Sequence, residues 1–396
     1  MRKKKRILIC ASVLLLLAAA FGFIPLFDGD VRAENTFGRE ETGLLTVNDD
    51  GAKPYVTAVR SVLIEADSGQ ILFGNREKER AGMASTTKIM TALVAINSMP
   101  LDTVFTIPKE ATGIEGSSIY LVEGEQLTIE ELLYGLMLRS GNDCAVALAI
   151  ACSGSVEKFV QKMNQTAAEM GITDTHFVNP HGLYDENHYT TAYSLARITA
   201  EALKNDTFRK IVSTKKAYIP YNNVPRGRVL TNQNRLLHSY EGCIGVKTGF
   251  TDETGRCLVS AAERNGVRLI AVTLNDPNDW NSHRAMLDYG FHQLERVVLA
   301  EKGALKVSVP VTGGHAAFVK AENDSEASAV LRKGFAYTSR LVIPRFLYAP
   351  VKKGDIVGYA EFYDGGGKLF YRLPLKATED VEYKKLTLFE KIFGAK

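Results

Sequence analysis

Ala84-Ser85-Thr86-Thr87-Lys88-Ile89-Met90 sets a serine and a lysine three residues apart at the head of an apolar helical run. On a helix, positions i and i+3 share a face one turn apart, so Ser85 Oγ and Lys88 Nζ can come within hydrogen-bond reach. A serine hydroxyl becomes a nucleophile only when a neighbour takes its proton, and a lysine does so only if its own pKa has been pushed down. The pair alone decides nothing, because Ser-x-x-Lys recurs at Ser155/Lys158 and Ser213/Lys216. The plain alternative is a helix-start serine beside a solvated lysine.

Outward from this stretch the chain alternates helical and strand-like patterns. Upstream, Val62-Leu63-Ile64-Glu65-Ala66 and Ile71-Leu72-Phe73 flank Asp67-Ser68-Gly69-Gln70, a hairpin signal. The helix itself carries Ile89, Met90, Leu93, Val94 and Ile96, a face dense enough to be buried, and stops before Pro100. Ser85 is thereby expected at the N-terminus of a buried helix, where backbone amides favour developing negative charge. Thr128-Ile129-Glu130-Glu131 opens the next helix with a capping-box pattern. It breaks at Arg139-Ser140-Gly141-Asn142-Asp143 before an alanine-rich helix from Cys144 to about Cys152. That break holds a short polar loop between rigid supports, or is a plain helix-helix turn.

Asn179-Pro180-His181-Gly182-Leu183 is a turn cluster before a helix capped by Thr190 or Thr191. His176, His181 and His188 invite a metal reading, but the acidic residues nearby do not follow a recognised zinc pattern, and no metal or cofactor is expected. Gly245 to Thr251, Cys257 to Ala262 and Val267 to Val272 read as three antiparallel strands, with a turn at Phe250 to Gly255. A Thr248-Gly249 pair on an edge strand lets a ligand lie against the backbone. A helix from His283 to about Leu294 closes this part, so residues 55–299 read as one α+β domain, an antiparallel sheet flanked by helices. Residues 300–380 change to short alternating segments between Gly and Asp turns, a small all-β domain. In the tail, 381–396, Leu386, Phe389, Ile392 and Phe393 share one helical face among lysines, as in an interfacial membrane helix; a short helix packed on its own domain is the alternative.

Residues 1–33 run from Arg2-Lys3-Lys4-Lys5-Arg6 through an apolar stretch to Val31-Arg32-Ala33, the order of a cleaved secretory signal, with an uncleaved anchor as the alternative. An exported protein, held to the outer face of the cytoplasmic membrane by its tail, is expected. Residues 34–54 are a polar, acidic leader. The first 33 residues hold six of the 48 basic and two of the 45 acidic residues, leaving 42 against 43. The basic excess is therefore a targeting feature, and nucleic acid is not an expected partner. Cys144 and Cys152 fall in one helix roughly 12 Å apart, beyond disulfide reach. Pairing across the predicted turn sets Cys243 opposite residue 262 rather than Cys257, so free, mostly buried thiols are expected despite export.

Ser85-Thr86-Thr87-Lys88, Ser140-Gly141-Asn142 and Lys247-Thr248-Gly249 occur in that order, 55 and 107 residues apart. This ordered set resembles the three motifs of the penicillin-binding protein and serine β-lactamase superfamily. From the leader's end to the tail, the chain is similar to low-molecular-mass penicillin-binding proteins, serine-type D-alanyl-D-alanine carboxypeptidases. The resemblance implies that Ser85 attacks the carbonyl between the two terminal D-alanines of a peptidoglycan stem peptide, with Lys88 as base. It implies that Lys247 helps keep Lys88 neutral by like-charge repulsion, and that Ser140 relays a proton to the departing D-alanine. Asn142 would bind the substrate amide, Lys247 and Thr248 the terminal carboxylate, and the amides of Ser85 and Phe250, beside Gly249, the oxyanion. β-Lactams would acylate Ser85.

Gly141 stands where the superfamily motif often has Asp, which suits the carboxypeptidases better than the β-lactamases. Ser194 stands where the subfamily often has Asp, leaving any bond from that carboxylate in question. Of the arginines, Arg284 comes nearest to one that would assist carboxylate binding, but its surroundings do not align cleanly and it is left out of the expected site. A β-lactamase would want a Glu-x-x-Leu-Asn loop between Glu157 and Asp185, which is not there. A sensor would need a further membrane span, a non-catalytic scaffold would not need three intact motifs, and a metallopeptidase would need the histidine cluster to bind metal. Between carboxypeptidase and D,D-endopeptidase the residues do not choose.

Overall fold

The computed structural model describes residues 53–222 and 224–385. The export segment, the leader up to residue 52 and the amphipathic stretch from Leu386 onward lie outside the described residues.

β1 (Arg60–Glu65) and β2 (Ile71–Asn75) form the expected hairpin. Its turn is held by the buried Glu65 carboxylate, which accepts from the Asp67 and Ser68 amides at 3.1 and 2.7 Å and from the Ser68 hydroxyl at 2.6 Å. α1 (Lys88–Ile96) is buried on every side from Lys88 to Ala95, the mark of a helix at the centre of a core. Ser85 does not belong to it. It sits in a 3-10 turn, Ala84–Thr87, that leads in from Ala84 at φ 45°. The Thr86 and Thr87 hydroxyls donate to the Met83 and Ala84 carbonyls at 2.5 and 2.7 Å and so stabilise that tighter turn.

β3 (Val104–Thr106) pairs with β4 (Gln126–Thr128), and Thr128 then caps α2 (Ile129–Arg139) through a complete capping box with Glu131. α2 ends at Ser140 in left-handed backbone, and α3 (Asn142–Ser153) begins two residues later. α4 (Val156–Glu169), α5 (Ala192–Ala202) and α6 (Asp206–Ser213) extend the helical layer; Thr191 caps α5 by accepting from the Ser194 amide at 3.0 Å. A protruding hairpin, β5 (Lys216–Tyr221) and β6 (Val224–Thr231), and the short α7 (Leu236–Ser239) lead to β7 (Cys243–Thr251), β8 (Gly255–Arg264) and β9 (Val267–Leu274). α8 (Asp279–Gln293) starts four residues before the expected His283, with a polar first turn.

The central sheet runs β2-β1-β9-β8-β7, antiparallel throughout, with β7 at one edge. Its strands are apolar on both faces because both faces are covered. Val62, Ile64, Val259, Ala261, Ile270 and Val272 turn to the core that contains α1, while Leu63, Leu258, Leu269 and Ala271 pack with Met286 and Leu287 of α8.

Beyond α8 the chain is all β: β10 (Leu294–Ala300), β11 (Lys306–Thr312), β12 (Phe318–Glu322), β13 (Ala327–Arg332), β14 (Tyr337–Val342), β15 (Leu347–Tyr348), β16 (Ile356–Asp364) and β17 (Leu369–Ala377). β10 pairs with β13, and the other six form a sheet ordered β14-β16-β17-β12-β11-β15. β10 escapes a sequence reading because much of it stays exposed, which weakens its alternation. The four cysteines from Cys144 on are free; Cys144 and Cys257 are buried, Cys152 and Cys243 half-buried. Cys243 lies opposite Ala262, and Cys257 opposite Gly249.

Candidate active site

Ser85, Lys88, Asn142 and the carbonyl of His181 meet where the 3-10 turn, α1 and α3 converge. Lys88 Nζ lies 2.8 Å from Ser85 Oγ, 2.7 Å from Asn142 Oδ1 and 2.5 Å from His181 O. Asn142 Nδ2 donates to Glu115 O at 2.5 Å, which orients Oδ1 toward Lys88. Burial holds the Lys88 pKa well below the ordinary lysine value, with the charge of Lys247 the next cause. A neutral amine has two N–H donors and one lone pair. Asn142 Oδ1 and His181 O accept only, so they take the two donors, and the lone pair is left facing the Ser85 hydroxyl. The sequence reading made Lys247 the residue that keeps Lys88 neutral; in the structure burial leads and Lys247 assists.

Lys247 is itself fully enclosed, donates to Thr248 O at 2.9 Å, and is pushed down to about 7 by burial. Gly249 follows on the same strand face. A Cβ there would lie 3.0 Å from Ser85 N and 3.1 Å from Thr86 N, so only glycine lets β7 close on the serine turn. Thr248 and Phe250 alternate with these positions along the edge strand; Thr248 Oγ1 reaches Gln233 Oε1 at 3.5 Å and Phe250 is 60% exposed. Ser140, buried at the left-handed C-cap of α2, stands two residues before Asn142.

Several supporting residues were not singled out from sequence. The Asp143 carboxylate, beside Asn142, accepts from Ser118 Oγ at 2.6 Å and from the Ile119 and Leu121 amides at 3.1 Å each, fixing the loop that supplies Glu115 O. That loop is also held by the buried Arg228–Glu125 pair: Arg228 donates to Ile119 O at 2.9 Å, Tyr120 O at 2.8 Å and both Glu125 oxygens. Asn179 Oδ1 accepts from the His181 and Gly182 amides at 3.3 and 2.6 Å, shaping the turn that presents His181 O. Gly182, at φ 89°, leaves no room for a side chain: a Cβ would lie 1.9 Å from Ala84 O.

The histidines serve this scaffold. The Val178 amide donates to His188 Nδ1 at 3.1 Å, so Nε2 carries the proton and donates to Thr87 Oγ1 at 2.7 Å. The Leu183 amide donates to His181 Nδ1 at 3.2 Å, and His176 Nδ1 contacts Asn187 O at 2.7 Å. The Asp174 carboxylate accepts from Ser194 Oγ at 2.5 Å and from Thr191 Oγ1 at 3.2 Å. Arg284 is engaged elsewhere, donating to Ser239 O and Oγ at 2.7 and 2.6 Å. Arg256 instead lies directly across from Phe250, its guanidinium held fork-on by Asp279 at 2.9 to 3.1 Å. The hairpin register legible from the turn at Phe250 to Gly255 was the signal that could have found it.

A serine hydroxyl against a desolvated, oriented lysine amine defines a serine-lysine hydrolase centre on an α+β frame. The chain belongs to the D-alanyl-D-alanine carboxypeptidase family of serine peptidases: residues 48–278, more than half its length, match that family, and residues 295–383 match the C-terminal domain of penicillin-binding protein 5. It is 34% identical over 336 residues to the D-alanyl-D-alanine carboxypeptidase DacF of Bacillus subtilis, covering 82% of this chain and 86% of the relative. It is 32% identical over 393 residues to DacC of Escherichia coli, covering 94% and 93%. Among solved structures it superposes on penicillin-binding protein 5 from Haemophilus influenzae with a TM-score of 0.67 at 29% identity, covering 84% of this chain and 99% of that one. The Streptomyces K15 DD-transpeptidase matches at 0.58 and 35%, covering 61% and 99%.

Proposed function

We propose that this enzyme removes the terminal D-alanine from peptidoglycan stem pentapeptides through an acyl-enzyme on Ser85. The observation that carries the reading is the buried Lys88 amine, held within hydrogen-bond distance of Asn142 Oδ1, His181 O and the Ser85 hydroxyl at once. Lys88 accepts the Ser85 proton as Oγ bonds to the carbonyl carbon of the penultimate D-alanine. The carbonyl becomes an oxyanion between the amides of Ser85 and Phe250, which the close approach of Gly249 brings together. The C–N bond then breaks, and the proton returns through Ser140 to the departing D-alanine nitrogen. Water, giving its proton to Lys88, releases the shortened peptide and frees Ser85. Lys247 and Thr248 hold the terminal carboxylate, with Arg256 rather than Arg284 as the assisting arginine. Asn142 chiefly positions Lys88, since one donor and its acceptor are already engaged; a second N–H remains for substrate. β-Lactams acylate the same serine.

Incubating the exported form with a diacylated Lys-D-Ala-D-Ala peptide should release one D-alanine per molecule. Ser85→Ala should abolish both that release and labelling by a fluorescent penicillin. Labelling without release would overturn the carboxypeptidase reading, and release from a cross-linked substrate instead would mark an endopeptidase.

We also infer export and attachment to the outer face of the cytoplasmic membrane. The support is in the sequence: the basic-apolar-small order of residues 1–33 and the apolar face Leu386, Phe389, Ile392 and Phe393 among lysines. Deleting residues 384–396 should move the protein to the soluble fraction, and unchanged fractionation would count against the tail.

A further inference from the structure

The C-terminal sheet presents an aromatic patch at the place where the described chain leaves toward the amphipathic tail. β15, β11 and β12 are neighbours at one edge of the six-stranded sheet. Val309, Val311 and Val319 turn inward, so the alternate residues Pro310, Thr312 and Phe318 face out. Thr312 pairs with Tyr348 and Pro310 with Phe318, which sets these side chains in two successive rows, two residues apart along β11, on one face of the sheet edge. Phe346 stacks edge-on against Tyr348 with ring centroids 5.2 Å apart. Tyr383 joins at the strand tips: residue 383 bridges to Gly314, the Lys384 amide donates to Gly313 O at 2.8 Å, and the Tyr383 ring lies 3.7 Å from where a Gly313 Cβ would be.

These aromatics are open to solvent. Tyr348 is 72% exposed, Phe318 56%, Tyr383 54% and Phe346 44%. Contiguous aromatics of this size are costly to leave in water and mark a contact surface. Charge tells what kind. The three segments that build the patch, residues 312–318, 345–353 and 381–385, carry Arg345, Lys352, Lys353, Lys384 and Lys385 against Glu382, with the Asp355 and Asp380 carboxylates accepting from the Lys352 and Lys353 amides at 2.8 and 2.7 Å, so that bases still outnumber acids. Phenolic rings with a basic rim match the boundary between lipid headgroups and acyl chains, where a ring is buried while its hydroxyl stays hydrated and lysines meet anionic lipid. The next eleven residues, Leu386 to Lys396, include the Leu386, Phe389, Ile392 and Phe393 face, and they start at this patch.

We propose that the folded β domain docks on the anionic outer leaflet through Phe318, Phe346, Tyr348 and Tyr383, a second contact beside the tail, so that the domain stands on the membrane by its β15-β11-β12 edge. This rests on the membrane attachment proposed above. A single tether would leave the catalytic domain free to tilt, whereas two contacts from one rigid edge hold it at a set orientation.

The test uses the full exported chain carrying Tyr348→Trp and vesicles of phosphatidylglycerol and phosphatidylcholine brominated on the upper acyl chain. Trp280, the only other tryptophan, gives the background in the parent chain. Vesicle sedimentation is measured on the same samples. Quenching of the new tryptophan in vesicle-bound protein is the expected result. Bound protein without quenching would overturn the docking and leave the tail alone as anchor. Failure to sediment at all would overturn the attachment itself, and the docking with it. Replacing Phe318, Phe346 and Tyr348 together by serine should weaken vesicle binding at least about tenfold, while penicillin labelling stays intact as evidence of folding; unchanged binding by the labelled variant would also overturn the docking.

Discussion

Lys88 and Lys247 show how two lysines within one site divide opposite requirements. In the proposed mechanism the base must be neutral, and the carboxylate-binding cation must be charged. Burial depresses both, and repulsion falls on whichever loses its proton first, which is Lys88. Acylation should therefore rise with pH through the lowered pKa of Lys88. Above about 7 the free enzyme loses the Lys247 charge, so substrate binding should weaken and KM rise. Lys247→Gln should move the acid limb of the acylation rate to higher pH by only part of the distance to the ordinary lysine range, because burial remains the larger cause. A fluorescent penicillin followed across pH checks this; a limb displaced all the way would make Lys247, not burial, the dominant influence.

At the scale of elements, the site is an arrangement of close approaches. The turn at Gly182 and the strand at Gly249 both press on the 3-10 turn that carries Ser85. Gly182→Ala should destabilise the protein by about 3 kcal/mol or more, combining positive φ with a backbone clash, read as a lower urea midpoint. Gly249→Ala forces a smaller shift directly against Ser85 N, so its effect belongs to acylation. A displacement of under 1 Å there should slow labelling on the order of 10²-fold with little change in melting temperature. The loop over the site depends on the Arg228–Glu125 pair in the same way. Arg228→Met leaves Glu125 buried without its partner and should cost about 3–5 kcal/mol; proteolytic cleavage near Tyr120 would report the loosened loop.

Across the whole molecule, buried neutral histidines set the acid limit. His188 is lowered to about 4, and His181 and His283 to about 3, burial leading in each case. Below the ordinary value of 6.5 the unfolded chain binds these protons and the folded chain does not, so stability falls as pH drops from 6.5 toward 4. Urea midpoints measured across that window should decline steadily, and His283→Gln, at a ring whose Nδ1 has no hydrogen-bond partner among the described residues, should reduce the slope. A flat profile would mean that water or local opening protonates these rings in the folded state.

The motif residues were legible because each motif also obeys a local rule. Thr128 and Glu131 cap α2 through their own spacing, Ser140 and Gly141 end one helix and begin another, and the turn before Gly255 sets a register that, with one bulge between Cys243 and Gly245, brings Cys243 opposite Ala262. The α+β frame follows from the same local periodicities. What spacing could not convey is contact between segments distant in the chain: His181 O on Lys88, Asp174 on Ser194, Arg228 on the Tyr120 loop, Arg256 across from Phe250. By itself the sequence determined which serine and lysine could act together, since an i, i+3 pair is a matter of helical geometry. Only the tertiary structure decided that the lysine is desolvated, with its pKa lowered, and aimed at the serine, because burial and side-chain direction depend on what the rest of the chain packs around it.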